Sequence, residues 1–218
     1  MELREKANEI FAWGIAQRND ELVLTWKNHC EGAAIVAERI AEKAGMDKDK
    51  AYVMGLLHDI GRYNGQKTGM NHIIYGYDLL MEKGMPDVAK ICLTHSFNPK
   101  EKVAILHLDD KVKEQFVKDY VMNSEYDDYD RLIQLADFMS GAHGVTTIER
   151  RFCSVLSRHE LPEPRKVLQK LYELKEYFDK KCGVENIYTL FKDELAEASI
   201  RGIPGDLREF CKNVKEEK

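Results

Sequence analysis

Four of the seven histidines, His29, His58, His72 and His95, fall on apolar helical faces rather than opposite them. His29 is in register with Ala33, Val36, Ala37 and Ile40, and His58 with Ala51 and Gly55. His72 lines up with Gly76 and Leu79, and His95 with Ile91 and Val88, at offsets that share one side of a helix. A lone buried histidine is ordinarily satisfied by backbone groups. Four in one small helical core are costly, at about 1–3 kcal/mol for each polar group left unpaired, unless something common satisfies them. A metal cluster does so, because neutral imidazole is the usual nitrogen ligand of Zn, Fe, Mn or Ni and a carboxylate compensates the charge of a buried dication. Asp59 directly follows His58 at the carboxy end of a helix, where the helix dipole disfavours a bare carboxylate and an adjacent cation would explain it. Asp137 sits just off the stripe Leu132, Leu135, Ala136 and Met139, and an acid buried there calls for a partner as well.

The elements that must position these residues read as helices. Leu3, Ala7, Ile10, Phe11 and Gly14 open the chain at helical spacing, and strand-like alternation is absent. A second helix is predicted from Glu21 to Ala44, stopped at Gly45, and a third from its cap at Asp47 to His58. Further helices are predicted over Asn71 to Lys83, Pro86 to Ser96, Asp109 to Met122 and Asp127 to Met139. Leu161-Pro162-Glu163-Pro164 is the clearest punctuation, and it divides a body of residues 1–160 from a helical extension over 161–218. In that extension Val167, Leu171, Leu174 and Phe178 form one apolar stripe, and Ile187, Phe191, Leu195 and Ala198 another. The fold class is all-α.

Composition narrows the function. The 218 residues carry 33 Lys and Arg against 38 Asp and Glu, a net charge of −5, with the acidic excess ahead of Pro164. No basic stripe is present to neutralise a nucleic-acid backbone, so a small molecule is the expected partner rather than DNA or RNA. The longest apolar run, Tyr52 to Leu57, is far short of the roughly 18 residues that span a bilayer, so no membrane partner is expected. Five widely spaced cysteines without a C-x-x-C pair read as reduced thiols of a cytoplasmic protein. No phosphate-loop glycine spacing supports ATP-dependent chemistry, and no motif supports a serine or cysteine nucleophile.

His29, the pair His58-Asp59 within Gly55-Leu-Leu-His-Asp-Ile-Gly61, and Asp137 within Leu135-Ala-Asp-Phe resemble the H…HD…D signature of the HD-domain metal-dependent phosphohydrolase superfamily. The resemblance covers about Lys27 to Gly141 and implies an HD-domain helical bundle. His72 and His95 resemble the additional ligands of the branch with a two-metal site. By that resemblance His29, His58, Asp59 and Asp137 would hold one divalent ion, and His72, His95 and a bridging Asp59 a second. The ions would be Fe, Mn, Zn, Co, Ni or Mg. Arg62-Tyr63-Asn64 follows Gly61 where the cyclic-dinucleotide enzymes of the superfamily carry Gly-Tyr-Pro, which speaks against that substrate.

The activity implied is hydrolysis of a phosphomonoester, phosphodiester or phosphoanhydride, with a nucleotide as the expected small-molecule substrate and a metal-bridging hydroxide as the attacking group. Asp59, His58 and Arg62 would carry the chemistry, with Arg62 and Lys67 binding the phosphate. Arg150-Arg151 is expected on a solvated helix face, and His143, between Gly141 and Gly144, in a loop. Two alternatives share the ligand set: a mixed-valent di-iron oxygenase, and a non-catalytic nucleotide sensor whose extension signals to a partner. The extension could equally be a lid, a brace or the arm of a homodimer.

Overall fold

A computed structural model describes residues 3–158 and 160–201, without the side chains of residues 66, 67 and 198–201. Ten α-helices follow in order: α1 (Leu3–Ala16), α2 (Val23–Lys43), α3 (Lys48–Leu57), α4 (His72–Glu82), α5 (Pro86–Thr94), α6 (Lys111–Asn123), α7 (Asp128–Phe138), α8 (Ile148–Leu156), α9 (Pro164–Cys182) and α10 (Lys192–Arg201). Tighter 3-10 turns occupy Ile60–Asn64, Gln66–Asn71, Lys100–Ile105 and Ile187–Phe191. The expected all-α architecture is what the chain adopts. One feature departs from it: β1 (Ser140–Gly141) and β2 (Gly144–Val145) pair as an antiparallel hairpin between α7 and α8. Strands of two residues are too short to show an alternating pattern, so sequence periodicity carries no sign of them.

Local chemistry sets the helix starts. The Asp47 carboxylate accepts the Lys50 N–H at 3.0 Å and begins α3. Asp110 does the same for α6, and Asp127 with Asp130 closes a reciprocal capping box on α7. Pro86 and Pro164 stand at the first turns of α5 and α9, where a missing N–H costs nothing.

Two glycines allow the close approaches that build the site. A Cβ on Gly55 would lie 2.7 Å from the Ala33 carbonyl oxygen, so α3 packs directly on the α2 backbone and brings His58 beside His29. A Cβ on Gly61 would lie 2.0 Å from the His72 carbonyl oxygen, so the turn after Asp59 runs against the start of α4. The glycines flanking His58-Asp59 therefore bring the neighbouring helices into ligand distance.

Most of the apolar core surrounds α2, α3 and α7, and includes Val167, Leu171, Phe178, Ile187 and Phe191 from the segment beyond Pro164. That segment packs on α2 and α7, with the Arg39 guanidinium bonded to the Leu190 carbonyl at 2.9 Å and to Glu194. A second cluster, including Ile73, Leu93, Val103 and Val117, joins α4 and α5 to α6. No helix among the described residues is long and apolar enough to cross a membrane.

Candidate metal centre

His29 comes from the first half of α2, while His58 caps the end of α3 and Asp59 follows it. His72 opens α4, His95 caps α5, and Asp137 lies in the last turn of α7. These six side chains, spread over 109 positions of sequence, converge on one place. His29 Nε2 stands 3.2 Å from His58 Nε2 and 3.2 Å from Asp137 Oδ1, with Asp59 Oδ2 at 3.9 Å. On the other side of the same carboxylate, Asp59 Oδ1 is 3.1 Å from His72 Nε2 and 3.5 Å from His95 Nε2. Asp59 thus belongs to two three-residue clusters, one with His29 and His58 and one with His72 and His95, all five buried. Asp137 adds a further oxygen to the first cluster.

The outer ring nitrogens fix the protonation of the inner ones. Nδ1 of His29 faces the Ser140 carbonyl at 3.2 Å, that of His58 the Gly55 carbonyl at 2.7 Å, and that of His72 the Gly69 carbonyl at 2.6 Å. Nδ1 of His95 faces the carbonyls of Ile91 and Cys92, both at 3.1 Å. A carbonyl only accepts, so every Nδ1 carries the hydrogen and a neutral ring presents a bare Nε2 lone pair inward. Four inward lone pairs and two carboxylates form an acceptor cluster without donors of its own. Two of its atoms, Asp59 Oδ1 and His72 Nε2, are buried without a hydrogen-bond partner although they lie only 3.1 Å apart. Divalent cations fit this donor set, since each lone pair then has an electrophile to face and the paired carboxylates are neutralised.

A family model described as HD domain matches residues 26–141, the span that holds all six side chains. The chain belongs to the HD domain family. HD domains are typically metal-dependent hydrolases, and the clustered histidines and aspartates of this chain could bind divalent metals. No curated protein and no solved structure matches the chain.

Electrostatics within the HD centre favour ion binding. Burial pushes the His58 imidazole down to about 3, so the ring stays uncharged at neutral pH, the form that can bind a metal. Burial and the Arg62 charge likewise lower His72. Burial would raise both aspartates, but the Arg62 charge holds Asp59 well below the carboxylate range, and Asp137 is lowered as well. Both carboxylates are therefore ionised. His95 is the exception among the rings: burial opposes its charging, yet the neighbouring Asp59 carboxylate, which accepts from the charged ring, pulls its pKa upward.

Around this centre the structure brings together some expected residues and not others. Arg62, expected to bind the phosphate, lies with its Nε 2.5 Å from Asp59 Oδ2, at the edge of the cluster. The Lys67 side chain lies outside the described residues. Arg150 is exposed as expected, but Arg151 is not on a solvated face: its guanidinium reaches to 3.8 Å from Asp137 Oδ1 with the side chain only 19 % exposed. Thr147 caps α8 and the hairpin turns it, so the Arg151 face of this polar helix meets the centre, an orientation that the charge pattern alone does not show. His143 is an exposed loop residue, His107 is exposed beside Glu114, and His159 lies outside the described residues.

Supporting residues carry no recognisable motif. Ser96 Oγ stands 2.9 Å from His95 Nε2, and Lys102 Nζ donates to the Ser96 carbonyl at 3.0 Å. Asp130 accepts from Thr94 Oγ1 at 2.7 Å, and Gln134 donates to the Thr94 carbonyl at 3.2 Å, so α7 grips α5 one residue before His95. The signal that could have revealed Asp130 and Gln134 is their place on the inward face of α7, seven and three residues before Asp137.

Proposed function

We propose that this chain is a metal-dependent phosphohydrolase acting on a nucleotide or another small phosphate compound through a two-ion site. The observation that supports the reading is the shared Asp59, whose two oxygens face separate histidine pairs, His29 with His58 and His72 with His95. His29, His58, Asp59 and Asp137 would hold the first ion, and Asp59, His72 and His95 the second. When bound, divalent ions of this kind lower the pKa of a water molecule toward neutrality and neutralise the oxygens of a phosphoryl group.

The protein's own groups orient the reaction. The four Nδ1–carbonyl bonds lock the imidazole planes, so the ligand lone pairs are preorganised and little rearrangement is needed on binding. Arg62 engages Asp59 through Nε, which leaves the terminal nitrogens of its guanidinium for a phosphoryl oxygen. Ser96 Oγ, 2.9 Å from His95 Nε2, borders the second ion site, where its hydroxyl would donate a hydrogen bond to a group bound there. Neither a nucleophilic side chain nor a covalent intermediate is required.

The test is turnover of p-nitrophenyl phosphate, bis-p-nitrophenyl phosphate and a panel of nucleotides by anaerobically purified protein of measured metal content. Hydrolysis that disappears in Asp59→Asn supports the reading. Two irons with an oxidase-type electron paramagnetic signal and no phosphate release would replace it with the oxygenase chemistry available to the same ligands. Nucleotide binding without any turnover would make the chain a sensor.

A further inference from the structure

The helix that brings Arg151 to the centre cannot fix its own position. α8 has nine residues, too few to be stable as an isolated helix, and the buried side chains it contributes are those of Ile148 and Phe152. Its first turn is held from the segment beyond Pro164. Tyr188 Oη accepts the Ile148 N–H at 3.0 Å, one of the donors that a helix start leaves without an internal partner, and donates to Glu149 Oε2 at 3.2 Å. Tyr172 Oη donates to the same carboxylate at 2.8 Å. Tyr188 is itself anchored, between the fully buried Ile187 and Phe191. Its N–H donates to Asn186 Oδ1 at 3.0 Å, and the Ile187 N–H donates to Asp179 Oδ1 at 2.7 Å. Arg151 follows Ile148 by three residues on α8, with Nη2 3.8 Å from Asp137 Oδ1, the oxygen that stands 3.2 Å from His29 Nε2. At that separation the guanidinium lies in the field of the carboxylate but outside hydrogen-bond distance, so this oxygen does not consume its donors.

We propose that the segment beyond Pro164 is a brace for the HD centre, in which Tyr188 and Tyr172 fix the first turn of α8 and so hold Arg151 where it contacts an oxyanion received beside Asp137. Arg151 is then the anion-contacting arginine on the Asp137 side, as Arg62 is on the Asp59 side, and Tyr188 is a positioning residue that acts through it. The inference rests on the phosphohydrolase reading for the identity of the oxyanion. Asp137 Oδ1 is a ligand oxygen of the first ion site, so its charge is committed there, and the guanidinium beside it, suited to bidentate contact, is left for the anion. Fixing the helix start matters because a misplacement of about 1 Å is enough to lose such a contact.

The experiment is calorimetry with orthophosphate on the metal-containing protein as purified, with metal content measured on every sample. Arg151→Gln should weaken orthophosphate binding about tenfold or more, the value of a charge-assisted hydrogen bond. Tyr188→Phe keeps the ring and removes only the hydroxyl, and should weaken binding about threefold or more, in line with the neutral bonds lost. The double variant should bind within about twofold of Arg151→Gln alone, because the tyrosine acts through the arginine. Tyr177→Phe removes a bond from α9 to Asp128 of α7 and leaves the start of α8 untouched, so it should bind as wild type does. Additive losses in the double variant, or equal weakening by Tyr177→Phe, would make the segment a general stabiliser and overturn the proposal. Wild-type affinity in Arg151→Gln would overturn it as well, as would a wild type that binds no orthophosphate. The expected pattern of binding without turnover of any phosphate ester would count against the hydrolase reading and leave the brace standing.

Discussion

Each site imidazole directs its Nδ1 hydrogen to a carbonyl and its Nε2 lone pair at the centre, and this shared orientation explains why four histidines occupy an apolar interior. They were legible in the sequence because residue type and register both betray them, as a histidine in line with Ala33, Val36 and Ile40 must be buried. Arg151 and Lys102 were not, because their segments are rich in charge and only the placement of α8 and of the Lys100–Ile105 turn decides which cation faces inward. Arg62 offers a direct test of phosphate recognition. Replacing it with Ala should raise KM for a phosphoester about 10–100-fold, the worth of one or two charge-assisted hydrogen bonds, while Arg62→Lys restores part of the loss. Steady-state kinetics on protein of matched metal content checks this, and an unchanged KM would remove Arg62 from substrate binding.

Among the elements, helix identity followed from apolar spacing and caps, and most boundaries fell within a few residues of those predicted, as in α7 with its Asp127 cap. The 3-10 turns at Ile60–Asn64 and Gln66–Asn71 were not legible, since they arise from the approach of α4 to Gly61 and not from local periodicity. Gly61→Ala should therefore cost about 1–3 kcal/mol or more, because the added carbon meets a backbone oxygen that no side-chain movement relieves. It should also reduce metal binding at His72, the residue that carries that oxygen, and urea melts with metal analysis would show both. A pH effect belongs to α6. Bonds from Lys111 and Lys118, with the Leu108 N–H, hold Glu114 at about 2, below its ordinary 4.5. A depressed carboxylate stabilises the fold fully above pH 4.5, and that contribution drains away as pH falls toward 2. Glu114→Gln should melt at lower temperature than wild type at pH 7 and lose less of its remaining stability between pH 4.5 and 2; parallel melting curves across that range would contradict the assignment.

For the molecule as a whole, the punctuation at Pro164 marks the start of α9 as expected, but the side chains beyond it share one apolar core with α2 and α7. What sequence periodicity leaves open is where an amphipathic stripe docks, since the stripe shows that a face is buried without showing against what. Phe178 is fully buried in that shared core, so Phe178→Ala should cost about 3–5 kcal/mol and lower the single unfolding midpoint of the chain. Two separate transitions, with only one shifted, would instead make the extension an independent unit. The central claim, that one carboxylate organises two ion sites, is tested most directly by metal stoichiometry from mass spectrometry on anaerobically purified wild type, His72→Ala and Asp59→Asn. The account predicts two divalent ions per chain in wild type, one in His72→Ala and fewer than one in Asp59→Asn. One ion in both wild type and His72→Ala would contradict it, and would leave His72 and His95 as buried polar residues outside the metal centre.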